Sequence, residues 1–203
     1  MTQAKGAQVS QFVYSRIKRL MHTTNDSMIA ADLARLRRGI GKEAGGQPDT
    51  WELILDELPA DLQGTGDEPS YGERAVHTAL TCFALHQQSK DIKTNCMSES
   101  GISLGTAMRQ MVQRNPDREA AIKRRFTAAV TADSYDELVW HLRGLVQLLR
   151  AEDIRLDYPL LAKDLYHFQF PELRDRIRLN WGRHFYYRPS ETRDQNRSNH
   201  EEE

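Results

Sequence analysis

Fifteen consecutive residues, Ala75 to Ser89 (AVHTALTCFALHQQS), contain no Asp, Glu, Lys or Arg in a chain where 28% of residues are charged. Their apolar side chains fall on several faces of a helical wheel, so this helix is expected to be buried on most of its circumference. Ser70-Tyr71-Gly72-Glu73 supplies its start as a capping box, serine first and glutamate three later. A helix of that kind needs other helices around it, and the rest of the chain provides them.

Val9, Phe12, Val13, Leu20 and Met21 make one apolar stripe, and Ile29, Leu33, Leu36 and Ile40 a second that ends at Gly39 and Gly41. Trp51 to Leu58 reads as a short helix stopped by Pro59. Leu104, Ala107, Met108, Met111 and Val112 follow the helical repeat, and Asn115-Pro116 reads as the N-cap and first turn of a helix carrying Ile122, Phe126, Ala129 and Val130 inward. A second capping box, Ser134 with Glu137, precedes Leu138, Leu142, Leu145 and Leu149. Asp157 with Pro159 opens a helix through Phe168, and Pro171 opens the last, with Leu173, Ile177 and Trp181 inside.

No segment alternates as a strand does. The expected class is all-α, two small helical bundles with about eight or nine helices. The polar stretch SKDIKTNCMSESG is the expected boundary or mobile loop, dividing residues 1–97 from 98–188, and 189–203, with no apolar residue, are expected to be a disordered tail. No apolar run reaches the ~18–20 residues of a membrane helix. The first twenty residues lack a signal peptide's apolar core, so a soluble, cytoplasmic protein is expected.

Net charge is −1, but it is unevenly distributed. Residues 1–45 hold eight basic and three acidic side chains, 46–75 one and eight, 89–130 eight and four, 131–172 four and eight. Such blocks either form a one-sided field or are mixed on the surface by folding, and both readings stay open. Phosphate-binding loops, dinucleotide fingerprints and HExxH are absent. Cys82 and His86 lie four apart but lack a second ligand pair. The histidines have no nucleophile motif beside them. No catalytic residue, cofactor or metal is expected.

The chemistry that stands out is arginine. Arg35, Arg37 and Arg38 crowd one helix end, where the dipole favours cations. On the wheel Arg38 and Arg35 face outward, and Arg37 lies nearer the core. A second cluster holds Arg118, Lys123, Arg124 and Arg125, flanked by Arg109 and Arg114 before it and Arg143 after it; Glu119 is placed to pair with Lys123 at i,i+4. Guanidinium suits phosphate, and such a patch binds nucleic-acid backbone without reading sequence. Trp181, Phe185, Tyr186 and Tyr187 are candidates either for stacking bases or for closing the core.

The turn LRRGIG followed by proline and tryptophan, ALTCFALHQQ, GISLGTAMRQM, the run RRFTAAVTADSYDELVWHLRGLVQLLRAE, LDYPLLAKDLYHFQ and LNWGRHFY occur in an order and spacing that resembles the CasB family, the small subunit of the type I-E CRISPR Cascade complex. The resemblance spans about residues 8 to 187. It implies a non-catalytic all-helical subunit, present in two copies beside the backbone and large subunits of a ribonucleoprotein. It also implies contact with guide RNA and target DNA, and a basic surface that steadies the displaced strand of the R-loop in antiviral defence. By position it implies Arg37, Arg38, Arg109, Arg124, Arg125 and Arg143 as contacts. Where the family often has a basic residue after GISLG, this chain has Thr106, with Arg109 one turn later. A scaffold acting only through protein–protein contacts is the alternative.

Overall fold

The computed structural model describes residues 2–187, which are all-α. Among the described residues nine α-helices run in the order α1 (Thr2–His22), α2 (Asp26–Arg38), α3 (Trp51–Ile54), α4 (Tyr71–His86), α5 (Leu104–Arg114), α6 (Glu119–Val130), α7 (Tyr135–Ala151), α8 (Tyr158–Phe168) and α9 (Pro171–Tyr186). The expected tail, 189–203, lies outside the described residues.

The uncharged segment is the centre. Every residue of α4 from Ala75 to His86 is buried, among α1, α2, α7 and α8. Its start is the capping box: Glu73 N donates to Ser70 Oγ at 3.0 Å, and Ser70 N donates to the Glu73 carboxylate at 2.7 Å. Burying so many backbone and hydroxyl groups requires partners for the polar ones. Two tyrosines supply several. Tyr135 on α7 donates to Thr78 Oγ1 at 3.0 Å, and Tyr158 on α8 donates to the Cys82 carbonyl at 3.2 Å, with its hydroxyl 3.0 Å from His86 Nδ1.

Spatially, α1, α2, α4 and α8 form one group and α5, α6, α7 and α9 another, joined where α4 meets α7 and α8 meets α9. Helix α8 comes from the second half of the chain yet packs on α1 and α4 of the first. The polar stretch after α4 is tied down. Buried Gln87 donates to the carbonyls of Lys90 and Asn95 and accepts from Met97 N at 2.8 Å. Leu156 N donates to the Met97 carbonyl at 3.1 Å, and Asp157 takes Gly101 N at 2.8 Å. Buried Gln87, just before the segment, and buried Ile92 and Met97 within it anchor a stretch that reads as polar and irregular.

Three local readings are corrected. Helix α3 ends at Ile54, four residues short of Leu58. Arg16, only 6% exposed, draws the Asp56 and Glu57 carboxylates to 3.7 and 3.4 Å, and Glu57 takes φ +56°, so the chain leaves the helix early. Asn115 does not cap α6. Its amide donates back to the Met111 carbonyl, and a 3-10 turn, Pro116–Arg118, precedes α6. At α7 Ser134 accepts from Glu137 N, but the Glu137 carboxylate takes Asp133 N rather than the serine's own.

Candidate nucleic-acid interface

Asn25 caps α2, and Ile29, Leu33 and Leu36 turn inward, which fans the three arginines of its last turn in different directions. Arg35 pairs with Asp32 and reaches Glu52 at 3.3 Å; Arg38 pairs with Asp49 at 2.8 Å. Both therefore face carboxylates of the acidic block that follows them. Arg16 and Arg19 meet Asp56 in the same way. Folding thus mixes the first basic block with the first acidic one, and Arg35 and Arg38 are engaged within the protein.

Arg37 points the other way. It is half-buried, and burial, followed by repulsion from Arg150 on α7, holds its pKa below the usual guanidinium range. After α2 the chain turns through Gly41, whose φ of +72° favours glycine. Arg143 Nη1 lies 3.5 Å from where a side chain at Gly41 would begin, so this side chain of α7 reaches the turn that follows α2. Arg143 and Arg150 are seven apart, two turns along one face of α7.

Arg125 on α6 and Arg143 on α7 line a common cavity of about 450 Å³ with Trp140 and Gln147; no carboxylate lines it. Trp140 and Arg143 also line a neighbouring cavity of about 510 Å³, which extends to Lys42, Arg74 and Tyr135. Two carboxylates line that second cavity: Asp136, taken by Arg74 at 2.7 Å, and Glu43. Among the described residues, Arg125 and Arg143 have no carboxylate at ion-pair distance.

The remaining expected residues lie elsewhere. Arg109 donates to the Tyr187 carbonyl at 2.6 Å with its guanidinium 5.8 Å from that ring. Lys123 pairs with Glu119 at 2.6 Å, the i,i+4 contact expected, and its ammonium sits 5.9 Å from the Tyr186 ring. These form a second cluster at the end of α9. Arg118 and Arg124 are exposed, and neither lines the groove of Arg125 and Arg143. The aromatic group divides: Trp181 and Phe185 are buried, while Tyr186 and Tyr187 are exposed.

Lys42 and above all Trp140, which line these cavities, are not among the residues expected from the sequence. Trp140 lies two residues from both Leu138 and Leu142 of the inward stripe, about 200° around the wheel, so its outward direction was there to be read. Cys82, His77 and His86 are packed in the core, while His184 Nδ1 lies 2.8 Å from Ser103 Oγ. Burial pushes the Cys82 thiol up to about 12 and holds His77 and His86 down at about 4. Among the described residues no group of three or more His, Cys, Asp or Glu is placed to hold a metal ion. Among the described residues no helix is long and apolar enough to cross a membrane. What the groove offers is fixed positive charge beside an aromatic ring.

Residues 32–186 match the model of the family described as CRISPR-associated protein Cse2. A crystal structure of CasB from Thermobifida fusca has a TM-score of 0.73 at 34% identity, covering 89% of this chain and 98% of that one. CasB from M. ruber gives 0.62 at 25% identity, covering 86% and 92%. A chain of a CRISPR RNA-guided surveillance complex shares the fold, with a TM-score of 0.66 at 18% identity over 89% and 95%. No curated protein matches.

Proposed function

The chain belongs to the family of CRISPR-associated protein Cse2, and from that premise we propose that it is a non-catalytic subunit of a Cascade-type RNA-guided complex, holding nucleic-acid backbone through its own arginines. The observation that carries this is the groove of Arg125 and Arg143, two exposed cations lining one cavity without a carboxylate. Arg37 on α2 and Arg150 on α7 lie close enough to repel one another, outside that cavity. A phosphate chain laid in the groove exchanges its counterions for guanidinium groups and gains affinity whatever its sequence. In a complex that opens a DNA duplex, formation of the RNA–DNA hybrid is nearly balanced, so a few such contacts to the displaced strand are enough to favour the open state.

The contact set is accordingly revised. Arg125 and Arg143 are the first candidates, whereas Arg37 lines a different cavity beside Asp26 and Asp91. Arg109, Lys123, Tyr186 and Tyr187 make a separate patch suited to RNA or to a neighbouring subunit. Arg35 and Arg38 serve the fold first. The partners on this reading are the complex's backbone and large subunits, a second copy of this chain, guide RNA and target DNA.

The test is the salt dependence of binding to single-stranded DNA by the purified full chain. Arg125→Gln with Arg143→Gln is expected to lower affinity and to make the slope of log K against log salt shallower by about 1.4, roughly 0.7 for each phosphate that the variant no longer neutralises. Arg35→Gln with Arg38→Gln is expected to leave the slope unchanged. An unchanged slope in the first variant would sink the proposal and favour the pure scaffold. That alternative draws support from the carboxylates of Asp67 and Glu68, which line an adjoining cavity suited to basic partners, with Glu43 lining both it and the second cavity.

A further inference from the structure

Trp140 is 73% exposed, the most open of the large hydrophobic side chains among the described residues. Leaving an indole in water is unfavourable, and its natural relief is a flat apolar partner. The ring stands on the ridge that separates the two cavities of the α7 groove, since it lines both, and Arg143 shares that ridge. His141 packs against it edge-on, ring centroids 4.8 Å apart, and His141 is itself held within 3.7 Å of the Glu137 carboxylate one turn back. The indole is therefore buttressed from its own helix.

From this juxtaposition we infer that Trp140 is a base-stacking platform: an unpaired base lies on the indole while Arg143 and Arg125 hold the phosphates beside it. The site thereby selects a single strand over a duplex. This deepens the backbone-binding proposal and rests on it. The chemistry distinguishes the two strand states. Guanidinium groups hold phosphates of either, but only an unpaired base has a face free to meet the ring. Stacking is tolerant of base identity, because every base has a π face, so the selectivity is for strandedness and not for sequence. Charge complementarity favours nucleic acid as occupant: the cavity on the Arg125 side has two arginines and no carboxylate in its lining.

The experiment measures anisotropy of labelled oligothymidylate about twenty nucleotides long, of a duplex of equal length, and of the same strand carrying abasic sites, with full-length protein at several salt concentrations. Wild type is expected to bind the base-bearing strand more tightly than either competitor. Trp140→Ala is expected to cut that affinity about tenfold, to leave duplex and abasic binding alone, and to keep the salt slope; Trp140→Phe is expected to restore most of the affinity. Circular dichroism confirms that each variant is folded. If Trp140→Ala changes nothing, or weakens all three ligands alike, or if wild type does not prefer the base-bearing strand, stacking is refuted while salt-dependent binding still upholds the groove. If wild type shows no salt-dependent binding to any of them, the groove's proposed role fails, and the platform with it.

Discussion

The carboxylate of Asp164 on α8 accepts the indole N–H of buried Trp181 on α9 at 2.7 Å, joining the two groups of helices. Burial pushes this carboxyl up from 3.8 to about 6, only partly offset by the Trp181 hydrogen bond and by Lys163. A raised carboxyl means that the folded state binds the proton more tightly than the unfolded one. Its contribution is therefore most favourable below about 4, declines as pH rises through 4 to 6, and is a constant penalty above. Asp164→Asn keeps an acceptor for the indole without the charge. It is expected to gain about 2–3 kcal/mol in denaturant titrations at pH 8 and almost nothing at pH 3.5; an equal gain at both pH values would contradict the assignment. His77 and His86 run the other way. Each is held neutral down to about 4, so the stability they contribute is present above 6.5 and lost as pH falls through that window. Wheel geometry made residue direction legible, but not pairing. It turned Arg38 outward correctly without revealing Asp49, because that partner arrives from eleven residues away across a loop.

Helix α5 reaches α9 through Gly105, within the GISLG segment. A methyl group at Gly105 would stand 2.1 Å from the Trp181 carbonyl oxygen and 2.9 Å from Phe185 N, so the two backbones touch. Gly105→Ala must push them apart, and a loss of about 3 kcal/mol or more is expected. Gly144 on α7 has no atom within 4 Å of the same position, and Gly144→Ala is expected to gain about 0.5–1 kcal/mol from helix propensity alone. Thermal melts of the pair decide it: similar effects would mean that packing at α5 and α9 is not the cause. Helix starts marked by Ser70, Ser134 and Asp157 were legible, because a cap is a contact within four residues. The early end of α3 was not, because Arg16, some forty residues earlier, draws in Asp56 and Glu57.

Across the molecule, chain order and spatial order part company at α8. It packs on α1 and α4, although it lies beyond the loop that divides the sequence near residue 97. Cutting there would expose the apolar faces of α1 and α4 on one fragment and of α8 on the other. Fragments 1–97 and 98–203 are expected to be poorly structured alone, and co-expression is expected to restore helicity and a single cooperative melt. A cooperative melt of 98–203 by itself would contradict this. Charge follows the same rule. Half of the basic side chains of residues 1–45, Arg16, Arg19, Arg35 and Arg38, pair with the acidic block beside them, whereas Arg125 and Arg143 remain without carboxylate partners among the described residues.

The sequence by itself determined the all-α class, the central place of Ala75 to His86, most helix starts and the arginine-rich character of the surface. Each of these follows from periodicity or from contacts a few residues long. The tertiary structure decided which arginines are spent on carboxylates and which share a groove, where α8 belongs, and that an outward tryptophan lines the same groove as Arg125 and Arg143. Those outcomes depend on pairs far apart in the chain, whose meeting is fixed by how the helices pack around α4 and by no local pattern.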